Sequence, residues 1–256
     1  GMFAIAVWDD ARDCGLIARD PTGKKPLYYL ERPGALYFAS EIKCLLAVRD
    51  YERRMNPAAI HHFLSYKHVP GPDTAFAGIR SVGPAHTLVW SAREGAKVST
   101  YWSLSWAPDP AWERMDEHEI SLRVAASLRE GVRRRLLSDV PIGFYLSGGV
   151  DSSFSTALAA TLSPGRIKTF TLTYDSDSTT PGKDEDQRWG GAVAEQYGTE
   201  HHEERLSAGS FAEEFPTILR HFDQPFSGVV SPYFLSPLIG RHVRVALSGD
   251  GADELF

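Results

Sequence analysis

Cysteine is scarce in this sequence of 256 residues, and long apolar runs are missing. Cys14 and Cys44 are the only cysteines, which is too few for a disulfide framework and favours a reducing compartment. No stretch of about 18 consecutive apolar residues occurs, so the sequence predicts no membrane-spanning helix. We therefore expect a cytoplasmic location and no membrane partner.

Positively charged residues are also not in excess. Lysine and arginine number 27 against 33 aspartate and glutamate, for a net charge of −6, which argues against a nucleic-acid partner. The one basic run, Arg133–Arg135, is interpreted as the solvated face of a helix, with a phosphate contact as the minor alternative. The hydrophobic content of 43% is that of a globular protein, and the length allows two domains. We expect small-molecule partners.

The seven residues Ser147–Ser153 read SGGVDSS and carry the clearest chemical signal. An apolar run at 142–146 predicts a buried strand before them, and residues 154–160 predict a helix after them. Glycine lets the backbone approach a phosphate closely, and a helix N-terminus favours negative charge. The lysine of a Walker loop is absent, so the pattern predicts a pyrophosphate site. An ordinary Gly-Gly turn capped by Asp and Ser is the alternative.

Asp151 adds a carboxylate to this predicted anion site. Two like charges in a tight loop repel each other unless a cation bridges them. The loop therefore implies Mg²⁺ together with phosphate.

A second polar turn, Ser248–Gly251, follows the predicted strand at 243–247. Between the two turns, the pattern predicts strands at 167–173 and 201–206, and helices at 184–197, at 207–222 with a break at Pro216, and at 232–241. Alternating strands and helices are typical of a doubly wound parallel sheet. Ligands of such sheets bind at the carboxyl ends of the strands, so both turns are predicted to share one site.

The first 105 residues are predicted to be rich in strands, because short apolar runs alternate with glycine and proline turns. The predicted strands lie at 2–8, 15–19, 27–30, 35–39, 87–90 and 98–102, and the predicted helices at 41–48 and 57–65. Residues 106–116 are interpreted as a linker. The helix that follows carries apolar residues at steps of four, which predicts one buried stripe.

His201 and His202 raise the question of a metal site. Adjacent residues on a strand point to opposite faces, so these two side chains cannot easily share one ion. A structural role is favoured for the pair.

Motifs spaced along the whole chain resemble a single family. SGGVDSS is similar to the pyrophosphate loop of the ATP-pyrophosphatase superfamily, and its surroundings resemble the glutamine-hydrolysing asparagine synthetase family. The further segments that carry the resemblance are Gly1–Ala4, Arg19–Tyr29, Phe38–Lys43, Arg135–Gly143, Gly198–Glu203 and Leu247–Phe256.

The resemblance implies a mixed α/β and α+β fold in two domains. Residues 1–105 would be the C-terminal part of a class II glutamine amidotransferase domain, a partial N-terminal-nucleophile-type αββα sandwich. Residues 117–256 would be an ATP-pyrophosphatase domain with a doubly wound parallel sheet, incomplete at its C-terminus.

The resemblance also implies a reaction and its site. ATP would adenylate the side-chain carboxylate of aspartate with release of pyrophosphate, and ammonia from glutamine would complete the amide in asparagine biosynthesis. Asp151 and Asp253 would hold Mg²⁺, and Asp250 and Glu254 would be catalytic, with a structural role weighed equally for Glu254. The implied ATP- and pyrophosphate-binding residues are Leu146, Ser147, Gly148, Gly149, Asp151, Ser152, Leu172, Ser248 and Gly249.

In this family the glutaminase nucleophile is an N-terminal cysteine, and the sequence begins instead with Gly1. We therefore assign no glutaminase residues and expect an interior piece of a longer polypeptide. The acceptor stays open: a related amide ligase, such as one that closes β-lactams, and a nucleotide-binding remnant without turnover are the alternatives. Self-association as a homodimer also stays open.

Overall fold

The computed structural model describes residues 1–174, 183–225 and 230–252, and it divides into two compact units. Unit 1 comprises Gly1–Ala107 with Pro216–Gly228, and unit 2 comprises Pro108–Phe215 with Val229–Phe256. Within the described ranges, no helix has both the length and the apolar character needed to cross a membrane.

Unit 1 contains two antiparallel sheets. The first has the order β1-β2-β6-β7 and is formed by β1 (Ala4–Asp9), β2 (Cys14–Arg19), β6 (His86–Ser91) and β7 (Gly95–Thr100). The second has the order β4-β3-β5 and is formed by β3 (Tyr28–Arg32), β4 (Ala35–Ala39) and β5 (Ile79–Ser81).

The core of unit 1 lies between its sheets. Ile17 of β2, Tyr29 of β3 and Leu88 of β6 meet in one buried cluster. Leu30, which points the other way from β3 because strand side chains alternate, packs on helix α1 (Ile42–Leu45). A second helix, α2 (Pro57–Tyr66), begins at the predicted position. These layers agree with the expected partial αββα sandwich.

Asp20 fixes the chain between β2 and β3. Its side chain is fully buried and accepts hydrogen bonds from the backbone N–H groups of Lys24 and Lys25, both at 2.9 Å, and from the Thr22 hydroxyl at 3.2 Å. Burial raises the pKa of Asp20, but these donors outweigh it and bring the pKa down to about 2.

Unit 2 is built on one parallel sheet of order β10-β9-β8-β11. Its strands are β8 (Ile142–Tyr145), β9 (Lys168–Tyr174), β10 (Glu200–Leu206) and β11 (Val245–Leu247). The helices of the chain after unit 1's sheets are α3 (Pro110–Glu113), α4 (Glu117–Arg135), α5 (Val150–Leu162), α6 (Lys183–Gln196), α7 (Ala208–Phe222) and α8 (Ser231–His242).

Helices cover both faces of this sheet. Phe170 and Leu172 of β9 pack with Leu235 of α8 on one face. Phe144 of β8 packs with Ala159 of α5 on the other. The doubly wound parallel sheet expected from the alternating pattern is therefore confirmed.

Several predicted boundaries are wrong. The late strand predicted at 98–102 is observed as β7, which already begins at Gly95 (φ +71°) and ends at Thr100. The predicted linker contains α3, since Asp109 caps its first turn and Pro110 occupies the first helical position. Helix α7 continues through Pro216: one helical hydrogen bond is lost there, and Ile218 is fully buried in the next turn.

Candidate functional site

The strand order of unit 2 places two turns side by side. Strand β8 lies between β9 and β11, and all three run parallel. The chain leaves β8 for the turn into α5, and it leaves β11 for the second polar turn. Both turns thus lie at the carboxyl edge of the sheet, at the point where the winding direction reverses, which is where ligands bind in such folds.

The first turn is closed by its own side chains. Ser152 accepts from the backbone N–H of Ser147 at 3.2 Å, and its hydroxyl donates to the carbonyl oxygen of Gly149 at 3.1 Å. Gly148 has φ +92°, a conformation that other residues rarely adopt. The turn therefore has a defined shape that depends on the small residues of SGGVDSS.

Helix α5 begins without a side-chain cap. Its N-cap residue is Gly149, whereas Asn56 caps α2 and Asp116 caps α4 through a capping box. The helix begins one turn earlier than predicted, at Val150, so Asp151 and Ser152 lie in its first turn. Their N–H groups lack helical acceptors and are available to an anion, which the helix dipole also favours.

The two turns touch through their backbones. A Cβ built on Gly249 would lie 2.8 Å from the backbone nitrogen of Ser152 and 2.9 Å from the carbonyl carbon of Asp151. No side chain fits in that space. We call Ser147–Ser152 together with Ser248–Gly251 the two-turn cradle.

A cavity of about 610 Å³ opens at the two-turn cradle. Of the sequence-predicted site residues within the described ranges, nine line it: Leu146, Ser147, Gly149, Asp151, Ser152, Leu172, Ser248, Gly249 and Asp250. Gly148 shapes the first turn without lining the cavity. Asp253 and Glu254, the second predicted magnesium ligand and the second predicted catalytic residue, lie outside the described residues.

Two carboxylates face this cavity. Within the described part of the chain, neither Asp151 nor Asp250 makes a hydrogen bond or an ion pair through its side chain. Burial raises the pKa of the Tyr145 hydroxyl at the same site, and the charge of Asp250 raises it further, although Ser236 lowers it through a hydrogen bond. Asp250 thus acts electrostatically on the cavity wall.

Sequence reasoning missed part of the wall. Tyr145, Tyr174 and Gln187 also line the cavity, and the Nε2 of Gln187 is buried with no hydrogen-bond partner among the described residues. The Ser153 hydroxyl is also buried and has no hydrogen-bond partner among the described residues. A buried donor without a partner is costly, so Gln187 fits a site that binds a ligand with acceptor oxygens, whereas Ser153 does not line the cavity. Gln187 lies in a helix with no motif around it, and no local signal marked it.

Comparisons with known proteins agree with this geometry. The asparagine synthase family matches residues 123–256, and the glutamine amidotransferase domain family matches residues 1–102. The chain belongs to the asparagine synthase family. The resemblance stated from its motifs is thereby confirmed.

Curated relatives extend over the whole chain. It is 31% identical over 258 residues to "Asparagine synthetase [glutamine-hydrolyzing] 1" of Bacillus subtilis and 32% identical over 262 residues to "Putative asparagine synthetase [glutamine-hydrolyzing]" of Mycobacterium bovis. "Amidase chyE" of Penicillium rubens is 29% identical over 283 residues. Each comparison covers 100% of this chain and 39% of the relative, so the chain spans about two-fifths of the length of these curated relatives.

Among solved structures, NMN synthetase from Francisella tularensis overlaps 55% of this chain and 57% of its own, at 17% identity and a TM-score of 0.35. The fold assignment rests on the strand order and the layers described above.

Proposed function

We propose that this chain carries the ATP-binding part of a glutamine-dependent asparagine synthetase. The proposed reaction adenylates the side-chain carboxylate of aspartate, releases pyrophosphate and forms the amide with ammonia from glutamine, in asparagine biosynthesis. The backbone contact of Gly249 with Asp151 and Ser152 is the observation that carries the proposal. It makes one anion-binding cradle from two turns that are far apart in the sequence.

The first step needs a good leaving group. An aspartate oxygen attacks the α-phosphorus of ATP, the bond from that phosphorus to the bridging oxygen breaks, and pyrophosphate leaves with the negative charge. The uncapped N–H groups of Val150, Asp151 and Ser152 would stabilise that charge as it develops. In the second step, ammonia attacks the acyl carbon and AMP leaves.

The carboxylate set fits a magnesium ion. Asp151 lies in the first turn of α5, facing the cavity, and no described residue neutralises it. Asp151 would hold Mg²⁺ together with Asp253. The ion would neutralise charge on the departing pyrophosphate.

The remaining predicted residues take complementary roles in this proposal. Leu146 and Leu172 are buried at the cavity wall and would contact adenosine with Ser248 and Gly249. Asp250 would receive or orient a proton of the attacking amine, and Glu254 is proposed as a second catalytic carboxylate.

The other unit supports the amidotransferase half of the proposal. Its two packed sheets correspond to residues 1–102, which the glutamine amidotransferase domain family matches. No glutaminase nucleophile is assigned within this chain. Cys14 and Cys44 are both free thiols, which agrees with the cytoplasmic location that we propose.

A related ATP-dependent amide ligase is the second candidate. "Amidase chyE" is almost as similar to this chain as the asparagine synthetases are, at 29% against 31% identity. Overall sequence identity therefore does not identify the acceptor substrate. The nucleotide half of the proposal is the same for both candidates.

Isothermal titration with Mg–ATP, followed by competition with inorganic pyrophosphate, tests the nucleotide half. We expect binding that requires Mg²⁺ and that pyrophosphate weakens. Absence of binding would contradict the proposal. Pyrophosphate release on addition of aspartate, compared with β-amino acids and with no acceptor, then tests the acceptor: release with a β-amino acid alone would favour the second candidate, and binding without release would favour a remnant.

A further inference from the structure

A cluster of metal-ligating side chains lies in unit 2, away from the two-turn cradle. It consists of Glu200 and His202 on β10 and His242 at the end of α8, whose ligand atoms all lie within 4.8 Å of one another. None of the three lines the cavity. Because Glu200 is the first residue of β10 and pairs with Lys168, the first residue of β9, the cluster lies toward the amino edge of the sheet, opposite the two-turn cradle.

The two imidazoles are held against each other. Their ring centroids are 3.9 Å apart at an interplanar angle of 30°. Phe170 stacks on His202 at 5.3 Å and contacts His242 at 5.9 Å. An apolar ring therefore holds both histidines on one side.

The hydrogen bonds at the cluster are unevenly distributed. His202 Nε2 lies 3.0 Å from Glu200 Oε1, and Lys168 pairs with the same oxygen. His242 makes no hydrogen bond through its ring nitrogens within the described residues. Within the described residues, both contacts of Glu200 use Oε1, so the cluster includes an imidazole and a second carboxylate oxygen without hydrogen-bond partners.

We propose that Glu200, His202 and His242 form a binding site for a divalent transition-metal ion of the Zn²⁺ class. Two imidazoles and one carboxylate make up a common zinc ligand set, with the fourth position open to water. Mg²⁺ prefers oxygen ligands and would not bind here. Lys168 would keep its ion pair with Glu200 Oε1 and orient the carboxylate, as outer partners of metal ligands do.

The site would join β10 to the end of α8. Helix α8 leads directly into β11, which carries the second turn of the cradle at its other end. A bound ion would therefore hold the chain segment that presents Ser248–Gly251, without contacting ATP. The proposal does not depend on the proposed function.

Isothermal titration of the chelator-treated chain with ZnCl₂ tests the site. We expect one Zn²⁺ per chain at this site, and a higher melting temperature with Zn²⁺ than without. Since partners outside the first ligand shell already contribute about 10–100-fold in affinity, His242→Asn should weaken binding by more than about 100-fold. Visible absorption of added Co²⁺ should report the same loss.

His201→Asn is the matched control. His201 is adjacent to His202 but contacts Thr169 at 2.9 Å and Glu203 at 3.2 Å instead, so this variant should bind Zn²⁺ as the unsubstituted chain does. If His242→Asn fails to fold by circular dichroism, Glu200→Gln, which keeps the side-chain shape, should weaken binding by at least about tenfold. Equal affinity in folded His242→Asn or Glu200→Gln, or loss in His201→Asn alone, would overturn the proposal.

Discussion

The charge of Asp151 can be removed without disturbing the turn that carries it. Its carboxylate makes no hydrogen bond within the described residues, and the turn is held by Ser147, Gly149 and Ser152. We therefore expect Asp151→Asn to keep its fold. Loss of even an outer partner of a metal ligand costs about 10–100-fold in affinity, so removing a proposed Mg²⁺ ligand should lower the Mg²⁺-dependent ATP affinity by at least roughly tenfold, measured by isothermal titration.

Asp139→Asn is the control for that change. Asp139 is exposed, lies in the same unit and does not line the cavity. Its variant should bind Mg–ATP as the unsubstituted chain does. Equal affinity in Asp151→Asn would contradict the magnesium assignment.

The pKa of Asp20 predicts how stability depends on pH. Its pKa is about 2 in the folded state against an ordinary value of 3.8, so the folded state favours the ionised form. The resulting stabilisation is complete above about pH 4 and is lost as the pH falls toward about 2. In urea unfolding, Asp20→Asn should be less stable than the unsubstituted chain at pH 7, and the difference should narrow as the pH falls through this window.

The control for Asp20 is Asp10→Asn, at an exposed position of the same unit. It should leave both the stability and its pH dependence nearly unchanged. A gap between Asp20→Asn and the unsubstituted chain that stays constant from pH 7 to pH 3 would contradict the role of the Asp20 charge.

At the scale of elements, the close contact between the two turns is possible because Gly249 has no side chain. A Cβ there would lie 2.8 Å from a backbone nitrogen, and backbone atoms cannot move aside as a flexible side chain can. Overpacking of this kind costs about 1–3 kcal/mol. Gly249→Ala should therefore unfold at lower urea concentration and lose most of its Mg–ATP affinity.

Gly240→Ala provides the comparison. Gly240 is an exposed residue of α8 with no atom within 4 Å of its would-be Cβ. Alanine there should be neutral or stabilising by about 0.4–1 kcal/mol, with unchanged ATP binding. Unfolding of Gly249→Ala at the same urea concentration as this control would show that the turns do not meet as described.

The elements that were predictable are those with a local cause. The strand before SGGVDSS and the helix predicted at 57–65 follow from residues close to them in the sequence. The alternating order of unit 2 follows from a succession of such local patterns. Strand β5 was not predicted, because its three residues are held by pairing with β3, which lies far away in the sequence. His202 was weighed only against its neighbour His201, whereas its partner in space is His242.

The same division applies to the candidate site. Glycine, serine and aspartate in a tight pattern predicted both turns of the cradle. The contribution of Gln187 could not be predicted, because it depends on how α6 packs rather than on any neighbouring residue. The roles assigned to Asp250, Asp253 and Glu254 stay predictions.

At the scale of the whole molecule, all described parts of the proposed nucleotide site lie in unit 2. Hydrogen exchange with and without Mg–ATP should therefore change in one unit. At a concentration about 100 times the Kd, a ligand stabilises the state that binds it by about 2.7 kcal/mol. Amide hydrogens that exchange only when that state opens then exchange roughly 100-fold more slowly. We expect this protection in β8, α5 and β11, and unchanged exchange in β2, β3 and β6. Asp151→Asn should be protected at most about 11-fold under the same conditions, because a tenfold or larger loss of affinity leaves the ligand at no more than about 10 times the new Kd. Protection confined to the strands of unit 1 would mean that the nucleotide binds elsewhere, and the two-turn cradle would then need another ligand.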